Sequence, residues 1–234
     1  MDCFKPSSTK DPCNTGGPRS TGELAYECGT AEMASELNKF IMKYFMRETF
    51  GFLSKDIDTL DVRLAMKWTC KKCLKSGLTF LARCDGQIVG ARLTCLWQRG
   101  DKPQSLAGLW NRGFLIALQY LAELEKDKEQ LLPADVVKVA KYEGLSVHPD
   151  FRRRGIAQRL NELTLAKARE KGIQGVTVCA TSPKSQALFT KMGFQTLRAL
   201  KGEPNYVTSK GKRLRVVLDE NNAEYGKFMF LALD

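Results

Sequence analysis

The chain has 234 residues, 43% hydrophobic and 27% charged, which suits a globular protein with a sizeable core in one large domain or two small ones. Its formal net charge of +11 favours anionic partners, namely nucleic acid, a membrane surface or a polyphosphate cofactor, without choosing among them. No run approaches the roughly 18–20 apolar residues of a membrane span. The opening stretch MDCFKPSSTKDPCNTGGPRSTGEL has no apolar signal core, so a cytoplasmic chain with reduced thiols is expected.

Ser, Thr, Pro and Gly dominate residues 1–22, which read as a flexible leader, and residues 23–234 read as a single domain. Met33, Leu37, Phe40, Ile41, Tyr44 and Phe45 recur at helical spacing behind a candidate N-cap, Thr30. A second helix is expected over residues 56–77, with Leu60, Leu64 and Trp68 on one face and Gly77 as its stop. Within it Cys70 and Cys73 form a C-x-x-C. A structural zinc site wants four ligands and His148 is the lone histidine, so the expectation is two helix residues, one packed inward. Asp85-Gly86 between two β-rich runs signals a hairpin. Residues 105–131 read as a long helix, or two.

Residues 136–147 look like a strand. Ile156, Leu160 and Leu163 then mark a helix ended by Gly172, and residues 175–181 a short buried strand. Ser182 and Pro183 open a short helix closed by Gly193. Residues 203–226 read as a long hairpin excursion before a last strand, 227–233. This order implies a mixed sheet with helices on both faces. Trp68, Trp97, Trp110, Phe45, Phe50 and Phe114 are expected mostly in the core, with one or two free to line an aromatic pocket.

The segment LSVHPDFRRRGIAQRL, residues 145–160, passes from strand through three arginines to a helix. Three readings compete: a solvated charged face, a nucleic-acid contact, and a phosphate cradle formed by helix-start amides beside a glycine. It matches neither the phosphate loop of nucleotide triphosphatases nor the dinucleotide fingerprint.

Arg152, Arg153, Arg154, Gly155, Ile156 and Ala157 resemble the Q/R-x-x-G-x-G/A signature of the GNAT superfamily of N-acetyltransferases. LSVHPDF before it and SQALFTKMGF after it resemble the same family. FMRETFGFL and CLKSGLTFLARCDGQIVGARL narrow the likeness to arthropod arylalkylamine N-acetyltransferases of the dopamine type. The resemblance implies an α/β (α+β) fold: a mixed, mostly antiparallel sheet of about seven strands, helices on both faces, and strands 4 and 5 splayed apart. It implies acetyl-CoA as donor, with the pyrophosphate on Arg152 to Ala157. The pantetheine arm would lie along Leu145 and Val147, the sulfur between the strands near Ala180 and the helix from Ser182, and Ser185 would also contact the cofactor. The expected acceptor is a small arylalkylamine. Alternatives are polyamines, agmatine or amino acids, and, in another class, a non-catalytic CoA- or nucleic-acid-binding module. Neither nucleic acid nor membrane is expected as a partner, and the chain is expected to be a monomer.

An aliphatic amine of pKa ~10 is about 0.1% neutral at pH 7, so drawing on the neutral form costs roughly 4 kcal/mol and calls for a base. Glu48 resembles the base of the insect enzymes, although Thr49 stands where they have proline. Glu143 is the second candidate: period-2 alternation places Lys141, Glu143, Leu145 and Val147 on one face. Vertebrate serotonin acetyltransferase has histidines at the positions matching Lys141 and Glu143. The departing thiolate needs an acid. Many family members use a tyrosine where this chain has Phe189, and resemblance to the insect enzymes points instead to Thr181, Ser182 and Ser185.

Overall fold

The computed structural model describes residues 22–50, 58–102, 106–201, 206–207, 213–214 and 225–234. The expected leader apart from Gly22, and most of the expected excursion before the last strand, lie outside the described residues. The strands are β1 (Leu24–Cys28), β2 (Phe80–Cys84), β3 (Gln87–Gln98), β4 (Lys138–Val147), β5 (Gly175–Ala180), β6 (Gln195–Lys201), β7 (Tyr206–Val207), β8 (Arg213–Leu214) and β9 (Tyr225–Ala232). Seven of them form one sheet in the order β1-β2-β3-β4-β5-β9-β6, and β7 pairs β8 separately. Within the sheet β4 and β5 run parallel and every other neighbouring pair is antiparallel. Asp85 and Gly86, at φ 50° and 77°, supply the two left-handed residues that turn β2 into β3. β1 was not foreseen: it is a five-residue, half-exposed edge strand, too short to set up an alternation.

Helices cover both faces. On one lie α1 (Ala34–Phe40), a π-helical turn (Ile41–Met46), α2 (Arg47–Phe50), α3 (Leu60–Lys75), α4 (Arg112–Leu124) and α5 (Lys128–Leu131). Leu37, Ile41, Met66, Cys73 and Phe114 pack there against Ala91, Leu93 and Cys95 of β3. On the other lie α6 (Ile156–Glu170) and α7 (Pro183–Lys191), with Ile156 and Leu160 against Ala82 and Val89, and Phe189 against Tyr142 and Ala180. Each fully buried Leu or Ile of this kind contributes roughly 1.5–3 kcal/mol.

The inward stripe of α3 differs from the expected one. Val62, Met66, Cys70, Cys73 and Leu74 are buried, both thiols included, whereas Leu60, Leu64 and Trp68 are 62%, 55% and 48% exposed. Periodicity finds stripes but does not say which one meets the sheet. Trp97 and Phe114 are in the core, but Trp110 is exposed beside Trp68, the two lining an outer groove of about 660 Å³ rimmed by Lys72 and Lys102. The Phe50 side chain lies outside the described atoms. The expected 105–131 helix begins only at Arg112, where Asn111 caps it by accepting from the Phe114 N–H at 3.0 Å. Asp61 fixes the preceding segment to α3, accepting from the N–H groups of Trp110 and Asn111, each at 2.8 Å. Thr30 stands at the expected helix start with extended backbone but makes no capping bond.

One irregularity positions the site. Opposite Leu93–Thr94, β4 carries an extra residue: Leu93 pairs with Gly144 and Thr94 with Tyr142, leaving Glu143 as a bulge. The bulge breaks the period of two. Lys141 and Glu143 face α4, but Leu145 and Val147 turn to the opposite face and pack half-buried beside Ile156 and Leu160. The expectation that all four share one face is therefore corrected. Gly144 permits the arrangement, since a Cβ there would stand 3.1 Å from the Phe45 ring.

Candidate active site

The β4–β5 ladder stops at Tyr142–Val178, although β4 continues to Val147 and β5 to Ala180. The strands part there into a fork. Glu143 is the first β4 residue within it, and Cys179 and Ala180 form the β5 side. Parted strands leave main-chain groups able to pair with an extended ligand, and Leu145 and Val147 lie along that free edge.

β4 runs straight into the arginine loop. His148 ends the strand and accepts the Asp150 N–H on Nδ1 at 3.2 Å, so the lone histidine caps the 149–151 turn. Burial, with Tyr44 and Phe151 stacked around the ring, holds its pKa below the ordinary value. Arg153 and Gly155 are left-handed, at φ 62° and 74°. α6 then starts at Ile156 on an N-cap glycine, with no side-chain cap. Its first-turn amides and positive dipole end are thus offered outward. A Cβ on Gly155 would meet nothing within 4 Å, and Arg152, Arg153 and Arg154 are exposed around it. Amides, open backbone and three cations together fit a pyrophosphate. Ala157 is half-buried in the same first turn.

Two of these cations are already engaged within the protein. The Arg154 guanidinium lies 5.2 Å from the Phe151 ring centroid. The Arg152 guanidinium donates to the Glu48 carboxylate, each side chain 49% exposed. Glu48 therefore sits on α2 beside the loop. The π-helical turn before α2 lays Phe45 on Gly144 and Tyr44 on His148, which carries Glu48 to the end of β4.

The two serines form a capping box at the start of α7. The Ser182 hydroxyl oxygen accepts from the Ser185 N–H and the Ser185 hydroxyl oxygen from the Ser182 N–H, both at 3.2 Å. Their hydroxyls are 3.0 Å apart, and Ser185 Oγ donates to the Ser182 carbonyl at 2.9 Å. Both are half-buried at the β5 end of the fork. Phe189 is buried against Tyr142 and Phe194.

The face of the fork opposite α6 is charged. Lys141 Nζ lies 2.8 Å from Glu125 Oε1 and 3.3 Å from Glu143 Oε1. Lys128 pairs with the other Glu125 oxygen at 3.1 Å. The Cys95 thiol donates to Glu143 at 3.3 Å and the Cys179 thiol to Glu125 at 3.5 Å. Burial pulls the Lys141 pKa down, but Glu143 and Glu125 outweigh it and hold it well above the ordinary lysine value. Burial likewise opposes ionisation of Glu125, and Lys141 and Lys128 overcome it, keeping that carboxyl below its ordinary value.

The sequence reading missed Glu125 and Arg92. Glu125 sits in a charged helix end that reads as surface, and only the return of β4 buries it. Arg92 had a signal, as the one charge in the apolar run of β3. It is 1% exposed, donates twice to Asn161 Oδ1 at 2.9 and 2.6 Å, and lies 4.0 Å from the Tyr142 ring centroid. Burial lowers its pKa to about 10, so this cation anchors α6 to the sheet at some electrostatic cost.

Among the described residues no three His, Cys, Asp or Glu side chains gather as a metal site, and no helix is long and apolar enough to cross a membrane. Comparison with solved structures finds arylalkylamine N-acetyltransferase 2 from Aedes aegypti at a TM-score of 0.73 and 21% identity, covering 90% of this chain and 99% of that one. A putative arylalkylamine N-acetyltransferase 7 from the same mosquito gives 0.74 and 20%, covering 90% and 88%. The Drosophila melanogaster polyamine N-acetyltransferase, which catalyses the formation of N-acetylagmatine, gives 0.71 and 20%, covering 90% and 100%. No curated protein sequence matches significantly. At these identities the structural likeness establishes the fold, and the family rests on the sequence model described as the acetyltransferase (GNAT) family, which matches residues 41–194. With its splayed fork and arginine loop inside that match, the chain belongs to the GNAT family of acetyltransferases.

Proposed function

We propose that this acetyltransferase moves an acetyl group from acetyl-CoA to the primary amine of a small arylalkylamine by direct attack. The observation that carries the reading is the fork. The start of α6 offers open amides and three arginines suited to a pyrophosphate on one face, and the opposite face carries Lys141 and Glu143 close to Phe45, which packs on Gly144. A donor and an acceptor could then meet through the gap between β4 and β5. Acetyl-CoA, when bound, supplies the activated thioester. The amides of residues 154–157 and the arginine side chains would hold its phosphates, and the free edge at Leu145 and Val147 would pair with its extended arm.

Glu48 is the proposed proton acceptor. It is now bonded to Arg152, which cannot serve a carboxylate and a phosphate equally well. Transfer of Arg152 to phosphate would free the Glu48 carboxylate for the ammonium proton. Glu143, bonded to Lys141 and Cys95, then acts on the acceptor's electrostatics rather than as the first base. With Phe189 unable to give a proton, the Ser185 hydroxyl, backed by Ser182, is the proposed donor to the leaving sulfur.

Free-thiol release measured across dopamine, tyramine, serotonin, agmatine, putrescine and spermidine tests the proposal. The arylalkylamines should give the highest kcat/KM. Faster release with the polyamines would reassign the acceptor, and no release with any amine, while CoA still binds, would overturn the catalytic reading.

A further inference from the structure

Glu125, at the C-cap of α4, and Glu143 of β4 meet on the same part-exposed face, and one ammonium, that of Lys141, bridges them at 2.8 and 3.3 Å. Two carboxylates around one ammonium is the arrangement that would recognise the far cation of a diamine. Here the protein supplies that cation itself, on a tether. We infer that Lys141 is a built-in counter-cation that makes the acceptor crevice select singly charged amines over diamines. This deepens the proposed function and rests on its placing of the acceptor on the α4 face.

The charges add to zero: Glu125 and Glu143 against Lys141 and Lys128. A second ammonium entering would lose its hydration, gain no net attraction, and stand within a few ångströms of a like charge. Lys141 cannot be vacated by losing its proton near neutral pH, because the carboxylates hold it charged. It is not sealed off either: the Lys141, Glu143 and Glu125 side chains are 24%, 23% and 14% exposed. An amine whose far end is apolar avoids the conflict and has the Phe45 ring, packed on Gly144 next to Glu143, to lie against. Repulsion of the wrong ligand, more than attraction of the right one, then sets the preference.

The test compares kcat/KM for agmatine and tyramine in wild type, K141M, K141R and E125Q/K141M. K141M removes the ammonium that the two carboxylates share, leaving Glu125 with Lys128 and Glu143 with the Cys95 thiol and a net negative charge, and the agmatine-to-tyramine ratio should rise by about tenfold or more. K141R, which restores a cation, should return the ratio to the wild-type value. E125Q/K141M, with one carboxylate gone, should lose most of the gain, which mere loosening of the site would not produce. An unchanged ratio in K141M with intact CoA binding overturns the inference. Should K141M fail to fold, K141Q keeps a hydrogen-bond donor to both carboxylates and carries the same expectation. Calorimetric titration of agmatine into each CoA-bound variant separates the two levels. Wild type that turns over no amine overturns the proposed function. Failure of K141M or K141Q to bind agmatine more tightly than wild type overturns the role of Lys141.

Discussion

The two faces of the fork are built by different means. The α6 face takes its cradle from contiguous residues, 152–157, and from main-chain amides whose direction is fixed by two left-handed residues. The α4 face takes its polar groups from Cys95, Glu125, Lys141, Glu143 and Cys179, which β3, the end of α4, β4 and β5 bring together. A backbone site tolerates side-chain change but not conformational change, whereas a side-chain site can be retuned one residue at a time. The proposed donor side should therefore be the conservative half of the enzyme and the proposed acceptor side the adjustable one.

Four substitutions or conditions probe that contrast. The largest effect is expected from E48Q, which removes the proposed base. kcat should fall about 10²- to 10⁴-fold, while CoA affinity holds or rises, because Arg152 loses its competing carboxylate. Steady-state rates together with CoA titration read both quantities, and equal loss in the two would tie Glu48 to the donor side instead. Next comes G155V. A β-branched residue at φ 74° costs roughly 1–2 kcal/mol and puts two methyls where the cradle is open, so CoA affinity should drop by about tenfold or more. The agmatine-to-tyramine ratio should be untouched; if it shifts as well, the two faces are not independent.

S182A is expected to be smaller and mixed. Loss of the cap should cost about 1 kcal/mol in urea denaturation, and kcat should fall several-fold further than KM changes if the hydroxyl pair relays a proton. The smallest effect concerns acid stability. The folded pKa of Glu125 lies below its ordinary 4.5. The stability from this carboxylate is therefore present above that value, and it drains away as the pH falls through the folded pKa. In E125Q the urea midpoint should be lower at pH 7 but flatter below pH 4.5 than in wild type.

The same contrast explains what could be read from the chain alone. The hairpin at Asp85-Gly86, the capped start of α7 and the arginine loop are local: their residues are neighbours in sequence and their conformations follow from glycine, proline and cap chemistry. The inward side of α3 is not local. Leu60, Leu64 and Trp68 make as good a helical stripe as Val62, Met66 and Cys73, and only the sheet decides between them. Nor is the charged crevice, because Glu125 is defined by Lys141, sixteen positions later and across a loop. Glu48 and Glu143 were singled out, but their partners, Arg152 and Cys95, come from packing.

The bulge at Glu143 behaves like a frameshift in the strand's two-letter code. Before it, even positions of β4 point to α6 and odd positions to α4; after it, the assignments are exchanged. The chain thereby aims Glu143 at one face and, two residues on, Leu145 at the other, which an uninterrupted strand could not do. Deleting one residue between Tyr142 and Leu145 would restore the reading frame. With Glu143 the residue lost, Leu145 and Val147 would stay beside α6, because Leu93 already pairs with Gly144 and Thr94 with Tyr142, and only the carboxylate on the opposite face would go. A single codon loss at Glu143 should therefore spare CoA binding and alter the α4 face alone.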